Sequence, residues 1–390
     1  MIILPDRNIP RARFLLPVHR REWMPSSQAM FKDQFGNDGI RTIFRICARL
    51  HDGHVVWRGF FDDRDDFDAF LWAIATGSLR YERELWRLPT PHWHPDLGEH
   101  LTFDFATITF LTTTGSNQTY TSPSDWNNSN NTVECIGGGG SGGGYRGTFH
   151  VTGGGGAAYS EINNFSFATP GTTTATYRVG SFGASVSVST AGASSAGNAG
   201  SATWFNSAAD PGNGSDNSKC SAAAGGAGAA GTGSRNGGTG GATTSSWGQT
   251  KSAGGRGGNM TGASGSGSSG GGGAAGPSGA GGAGVDDATT GSNVATAGGS
   301  ANNGTTAGGA VSTGGNNGTE FDASHGCGSG GGGNTSAGKP GGNGGSYGAG
   351  GGGCGNTNPA VSGAGNQGLI VVTYTPASAF NSPNLAMIGM

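Results

Sequence analysis

Five carboxylates crowd the run Asp62-Asp63-Arg64-Asp65-Asp66-Phe67-Asp68, and such a density of oxygen ligands suits a hard cation such as calcium. The run lacks the central glycine and the closing bidentate Glu of a calcium loop. It lies directly ahead of Phe67, Phe70, Leu71 and Ile74, which recur at helical spacing, so the acids are expected to cap and charge a helix N-terminus. A second constellation, His92-Trp93-His94, would put both imidazoles on one face of a strand and could hold a transition metal. Pro89, Pro91 and Pro95 bracket it, which makes the segment an irregular loop and favours packing of its rings over a metal centre. Cys47, Cys135, Cys220, Cys327 and Cys354 are odd in number, widely scattered and without a CxxC pair. They read as isolated thiols of a reducing compartment rather than a disulfide framework or a zinc site. No Ser/His/Asp order, nucleotide fingerprint or pair of carboxylates at interpretable spacing occurs. The chain is expected to be no enzyme and to need neither cofactor nor metal.

The elements that carry these residues divide sharply by composition. Only six of the 83 glycines precede residue 115, whereas 14 of 21 Lys and Arg and 15 of 24 Asp and Glu fall in residues 1–114. Average glycine usage is roughly 7%, so the enrichment belongs to the second part alone. A net charge of −3 with 12% charged residues leaves no electrostatic footprint for nucleic acid. No apolar run suits a signal peptide or a membrane span. A protein acting outside a cell would then be released by lysis, as virions are.

Residues 1–112 are expected to form a small α+β module. Phe44, Ile46, Ala48 and Leu50 alternate with Arg45, Cys47 and Arg49, the period-two pattern of a half-buried strand. Asp52-Gly53 suits a tight turn, and Val55–Phe61 returns to complete a hairpin. A helix from Phe67, ending near Gly77, and a strand over Leu101–Leu111 complete the module.

Residues 113–376 look disordered by composition. No Leu or Ile lies between Asn206 and Ala360, which excludes a conventional side-chain core there. The ends read differently. Thr119–Pro123 and Thr132–Ile136 look like strands, the second running into Gly137–Gly144, and Gly368–Tyr374 is rich in β-branched residues, a strong strand signal. Matched strands at entry and exit suggest a small β-sandwich base from which glycine-rich segments project. Three-residue-per-turn extended helices have no internal hydrogen bonds, so such segments could pair side by side through their backbones. Residues 377–390 form a C-terminal tail.

The order Pro123-Ser124-Asp125-Trp126, Val133–Ile136 with its glycine run, Gly153–Tyr159, Thr169-Pro170-Gly171, Tyr177–Gly180, Ser201–Phe205, glycine tracts and Gly368–Tyr374 resembles the glycine-rich domain of phage tail fibres, spikes and tip adhesins. That resemblance implies packed polyglycine II-type helices whose tips recognise a host cell-surface receptor, a glycan or an outer-membrane protein. It also implies a virion-surface location, attachment to other virion structural proteins through residues 1–112, and a homo-oligomer, commonly a trimer. A head fibre, decoration or collar protein and a bacterial surface adhesin are the alternatives. Trp247, Met260, Phe321 and Tyr347 are the candidate receptor contacts, because isolated bulky residues between glycine tracts fall near turns. Packing against neighbouring segments is their competing role.

Overall fold

Alternating apolar and polar residues near the N-terminus mark one hairpin, and further strands join it. The computed structural model describes, before residue 106, the strands β1 (Ile2–Ile3), β2 (Arg13–Phe14), β3 (Ser26–Lys32), β4 (Asp38–Arg49) and β5 (Val55–Phe61). It then describes residues 106–376 apart from 148–149, 262–266, 288–293, 337–338 and 357. The chain divides into two units, Met1–Phe105 and Ala106–Met390.

In the first unit β4 and β5 pair antiparallel from Phe44↔Phe61 to Arg49↔Val55, as the alternation predicts. The remaining strands widen this hairpin to a five-stranded sheet of order β1-β2-β5-β4-β3. The expectation of an α+β module is therefore corrected. The chain is nearly all β, with no α-helix among the described residues. The physical reason is that β1, β2 and β3 extend the hairpin on both sides by backbone pairing, although their short or polar sequences carry little alternation of their own. The helix expected from Phe67, the acidic run Asp62–Asp68 and the His92/His94 loop lie outside the described residues.

The second unit begins with β6 (Thr107–Leu111), followed by β7 (Gln118–Thr121), β8 (Asn131–Ile136), β9 (Tyr159–Asn163), β10 (Thr174–Arg178), β11 (Thr203–Phe205), β12 (Cys220–Ala222), β13 (Thr250–Ser252) and β14 (Leu369–Tyr374). One sheet has the order β13-β9-β8-β14-β6 and a second the order β12-β11-β10-β7, antiparallel throughout. Between them lies a core containing Tyr120, Trp126, Val133, Ile162, Phe165, Phe167, Tyr177, Phe205, Ile370 and Val372. Phe165 meets Phe167 and Phe205 edge to face, at 4.9 and 5.3 Å between ring centroids, the arrangement aromatic quadrupoles favour. The first sheet is covered on its other face too. Ile136, Tyr159, Leu369 and Val371 pack there against Ala157, Ala274, Ala275, Ala301 and Cys327 at the ends of glycine-rich segments.

Those segments obey a different rule. In the segment 137–144 the N–H groups of Gly138 and Ser141 donate to Ser201 and Asn198, those of Gly139 and Gly142 to Asn366 and Gly363, and those of Gly140 and Gly143 to Gly155 and Thr152, all at 2.8–3.0 Å. Its carbonyls accept from Gly225 and Gly228, from Gly183, and from Gly351 and Cys354. Hydrogen-bond direction thus repeats every third residue, the period of an extended helix with three residues per turn, and the segment is surrounded by six neighbours. Ser269–Ala275 behaves alike: Ser269, Gly272 and Ala275 donate to Val151, Gly154 and Ala157, while Gly271 and Ala274 donate to Gly331 and Gly328. Backbone pairing here replaces the apolar burial that the sequence cannot supply. Glycine is required by proximity: a Cβ on Gly139 or Gly140 would overlap the carbonyl oxygen of Ala349 or Gly226.

Extended structure is also spread more widely than a single base. Away from the two larger sheets, two-residue strands knit segment ends together, among them Gly144–Tyr145 with Ser194–Ser195 and Cys354–Gly355, and His150–Val151 with Ala230–Gly231 and Gly267–Ser268. Residues from Ala106 onward hold five sheets in all among those described.

Candidate functional site

The turn following Gly318 is organised by two acids. Glu320 accepts from Asn302 Nδ2 and Thr305 Oγ1 at 3.0 Å and from the Cys327 N–H at 2.7 Å. Asp322 Oδ1 accepts the N–H groups of Ser324 and His325 at 2.6 and 2.7 Å, and Oδ2 lies 2.8 Å from His325 Nδ1. The Ser324 N–H, followed by the His325 ring, holds the Asp322 carboxyl below the usual carboxylate range. This turn fixes the imidazole flat against Phe110, with ring centroids 3.8 Å apart and planes 5° from parallel. Tyr347 continues the stack at 5.8 Å and 5°. Phe110, Phe321 and Tyr347 all border the second core, and each is half-buried.

Of the four residues expected to make contacts, Phe321 and Tyr347 are therefore brought together. Phe110 and His325, which no spacing in the sequence singles out, complete the cluster. An Asp three residues before a His has no meaning as a signal until the turn closes, so only the pairing of aromatic residues with turn-forming Asp could have pointed to it. Chemically the stack offers aromatic faces and edges beside a carboxylate at the surface, which suits recognition of a ring or a C–H face.

Trp247 lies elsewhere, as the clasp of a loop. Its backbone exchanges hydrogen bonds with Ser221 at 2.9 and 2.8 Å, and its Nε1–H donates to Asp216 Oδ1 at 3.1 Å. Lys219 Nζ sits 5.1 Å from the ring centroid, and a Cβ on Gly214 would run into the ring. Lys251 Nζ secures the same loop by donating to Asn213 Oδ1, Gly214 O and Ser246 O at 3.0–3.2 Å. Trp247→Ala is expected to cost about 2 kcal/mol, below the range for a fully buried Trp because this one is half-buried. Faster amide exchange confined to residues 212–221 would register the freed loop.

Met260 is only 1% exposed, so the structure withdraws it from the surface of this chain. It exchanges backbone hydrogen bonds with Arg235 at 2.7 and 2.8 Å, and its methyl lies over Gly267, close to Asp287 and His150. Met260→Ala should cost about 2–4 kcal/mol by leaving a cavity, read as a lowered unfolding midpoint.

A buried acid group occupies the face of the first sheet opposite the aromatic core. Glu134 in β8 and Glu161 in β9 are direct cross-strand partners. The Tyr159 hydroxyl donates to Glu134 Oε1 at 2.5 Å and lies 2.9 Å from Glu161 Oε2. The hydroxyl has one proton for two carboxylates, and the half-buried Glu161 also accepts from Asn163 Nδ2 at 2.8 Å. Burial, opposed in part by the tyrosine hydrogen bond, pushes the Glu134 carboxyl up to about 7. Among the described residues no group of three His, Cys, Asp or Glu side chains is placed to hold a metal ion. No family model matches the chain, and no curated protein matches it.

Proposed function

We propose that the chain is a virion structural protein, a phage tail fibre, spike or tip, whose glycine-rich unit presents turns to a receptor on the host surface. The observation that carries this reading is the set of close-packed segments held chiefly by backbone hydrogen bonds, such as 137–144 with its six neighbours, with a few serine and threonine hydroxyls, Ser141 among them, adding bonds. A framework of that kind places almost no chemical demand on the residues of its turns, which are then available for recognition. The sandwich of the two larger sheets anchors the segments at one end, and the short sheets hold their other ends in register. The Phe110–His325–Tyr347 stack and Phe321 are one patch suited to contact a receptor. In this reading the N-terminal unit attaches to other virion proteins.

Labelled full-length protein mixed with a panel of bacterial cells tests the reading. Saturable binding that periodate removes assigns a glycan receptor, and binding that protease removes assigns an outer-membrane protein. Absence of saturable binding across hosts that support the parent particle, with label placed on the capsid lattice by imaging, would sink it in favour of a decoration role.

A further inference from the structure

Cys135 and Cys220 are 85 positions apart in the sequence, and the fold brings them together. Cys135 lies in β8 and Cys220 in β12, on opposite sheets, and both side chains are fully buried in the core between them. The Cys135 thiol donates to the carbonyl oxygen of Cys220 at 3.7 Å, and the Cys220 thiol donates to that of Ser160 at 3.4 Å. Ser160 is the cross-strand partner of Cys135, so the two thiols occupy one spot in the core, close enough to interact directly. Cys327 belongs to the second core, and Cys354 packs with Val188 and Ala360. None of the four is joined in a disulfide.

We propose that Cys135 and Cys220 are a modification site, closing to a disulfide that staples the two sheets when the chain meets a small-molecule disulfide such as glutathione disulfide. The exchange balances without another reagent. A thiolate of one cysteine attacks the reagent's S–S bond, forming a mixed disulfide and releasing one glutathione. The second cysteine then attacks the mixed disulfide, the protein S–S bond forms and a second glutathione leaves. The two protons lost by the cysteines go to the two glutathione thiolates, whose S–S bond has been reduced.

Burial pushes the Cys220 thiol well above its ordinary range, so thiolate is scarce while the core is closed. The staple therefore forms as the chain folds or when the sandwich opens, and not by attack on the closed core. A loop of 85 residues is long enough for its closure to restrict the unfolded chain substantially. The gain falls on the sandwich, the part of the unit that side-chain packing holds together.

The test unfolds full-length protein and refolds it in a glutathione redox buffer, and in parallel under full reduction. Thiols are trapped by alkylation and the peptides mapped by mass. The proposal expects a Cys135–Cys220 linked peptide two hydrogens lighter than the reduced pair, Cys327 and Cys354 alkylated, and a higher denaturant midpoint that reductant reverses. Refolded protein with Cys135 and Cys220 both alkylated would overturn it. So would linkage of either to another cysteine, or a linked protein whose midpoint is no higher than that of the reduced chain.

Discussion

Gly140→Ala should lower the stability of the glycine-rich unit by about 3–5 kcal/mol, a loss at the upper end for single substitutions. The added methyl would overlap the Gly226 carbonyl oxygen and crowd that of Gly225. Gly226 O accepts from Gly155 and Gly225 O from Gly200, so the segment must move as a whole and strain bonds to two further neighbours. Ordinary overpacking costs about 1–3 kcal/mol because side chains can yield; here only backbone is in the way, and each hydrogen bond lost adds about 1 kcal/mol. Gly314→Ala is the control. Its Cβ would meet nothing nearer than Asn343 O at 3.5 Å, an ordinary contact, and its unfolding midpoint should stay close to that of the parent. Chemical denaturation of both variants decides the matter, and equal midpoints would show that the segments are not packed through their backbones.

The second large effect is a fall in stability as pH rises. The Glu134 carboxyl sits near 7 in the folded chain against an ordinary value of 4.5, so between those values the folded state holds a proton that the unfolded state has released. Stability then decreases with pH across that window, because the folded chain binds more protons. Two to three pH units of displacement correspond to about 3 kcal/mol, a contribution fully present below the unfolded value and lost as pH passes through 7. Glu134→Gln keeps an acceptor for the Tyr159 hydroxyl and removes the titration. Its stability should be flat from pH 5 to 8 and should exceed that of the parent at pH 8. A parent protein whose midpoint does not fall between pH 5 and 8 would remove the buried proton from the account.

How far these features are readable in the sequence depends on range. Leu369–Tyr374 announces itself as a strand because both faces are covered: Ile370 and Val372 enter the aromatic core, Leu369 and Val371 the second core. A sheet buried on both sides needs a continuous apolar run. Thr107–Leu111 shows strand character as well, yet its allegiance is hidden. It pairs with β14, from Ile370↔Leu111 to Tyr374↔Thr107, and belongs to the second unit rather than closing the first. Alternation near the N-terminus marks one hairpin and leaves three strands unmarked because Ile2–Ile3 and Arg13–Phe14 are too short for periodicity, while Ser26–Lys32 is half polar. In the candidate site, Phe321 and Tyr347 stand out as bulky residues among small ones. Phe110 and His325 do not, since the imidazole faces Phe110 only after strand and turn are packed. Met260 shows the opposite failure: a bulky residue amid glycines still found an interior. Cys135 and Cys220 look isolated in the sequence because spacing along the chain says nothing of two strands on facing sheets.

The threefold repeat of hydrogen-bond direction in segments such as 137–144 also governs how this chain can change length. One inserted residue turns every later N–H by a third of a revolution and aims it at the wrong neighbour, while three residues restore the pattern one turn further along. Within the segments, insertions and deletions are therefore counted in triplets, and the connecting turns are free to take any number. Drift in an evolving lineage should leave that arithmetic in the segments and none in the turns.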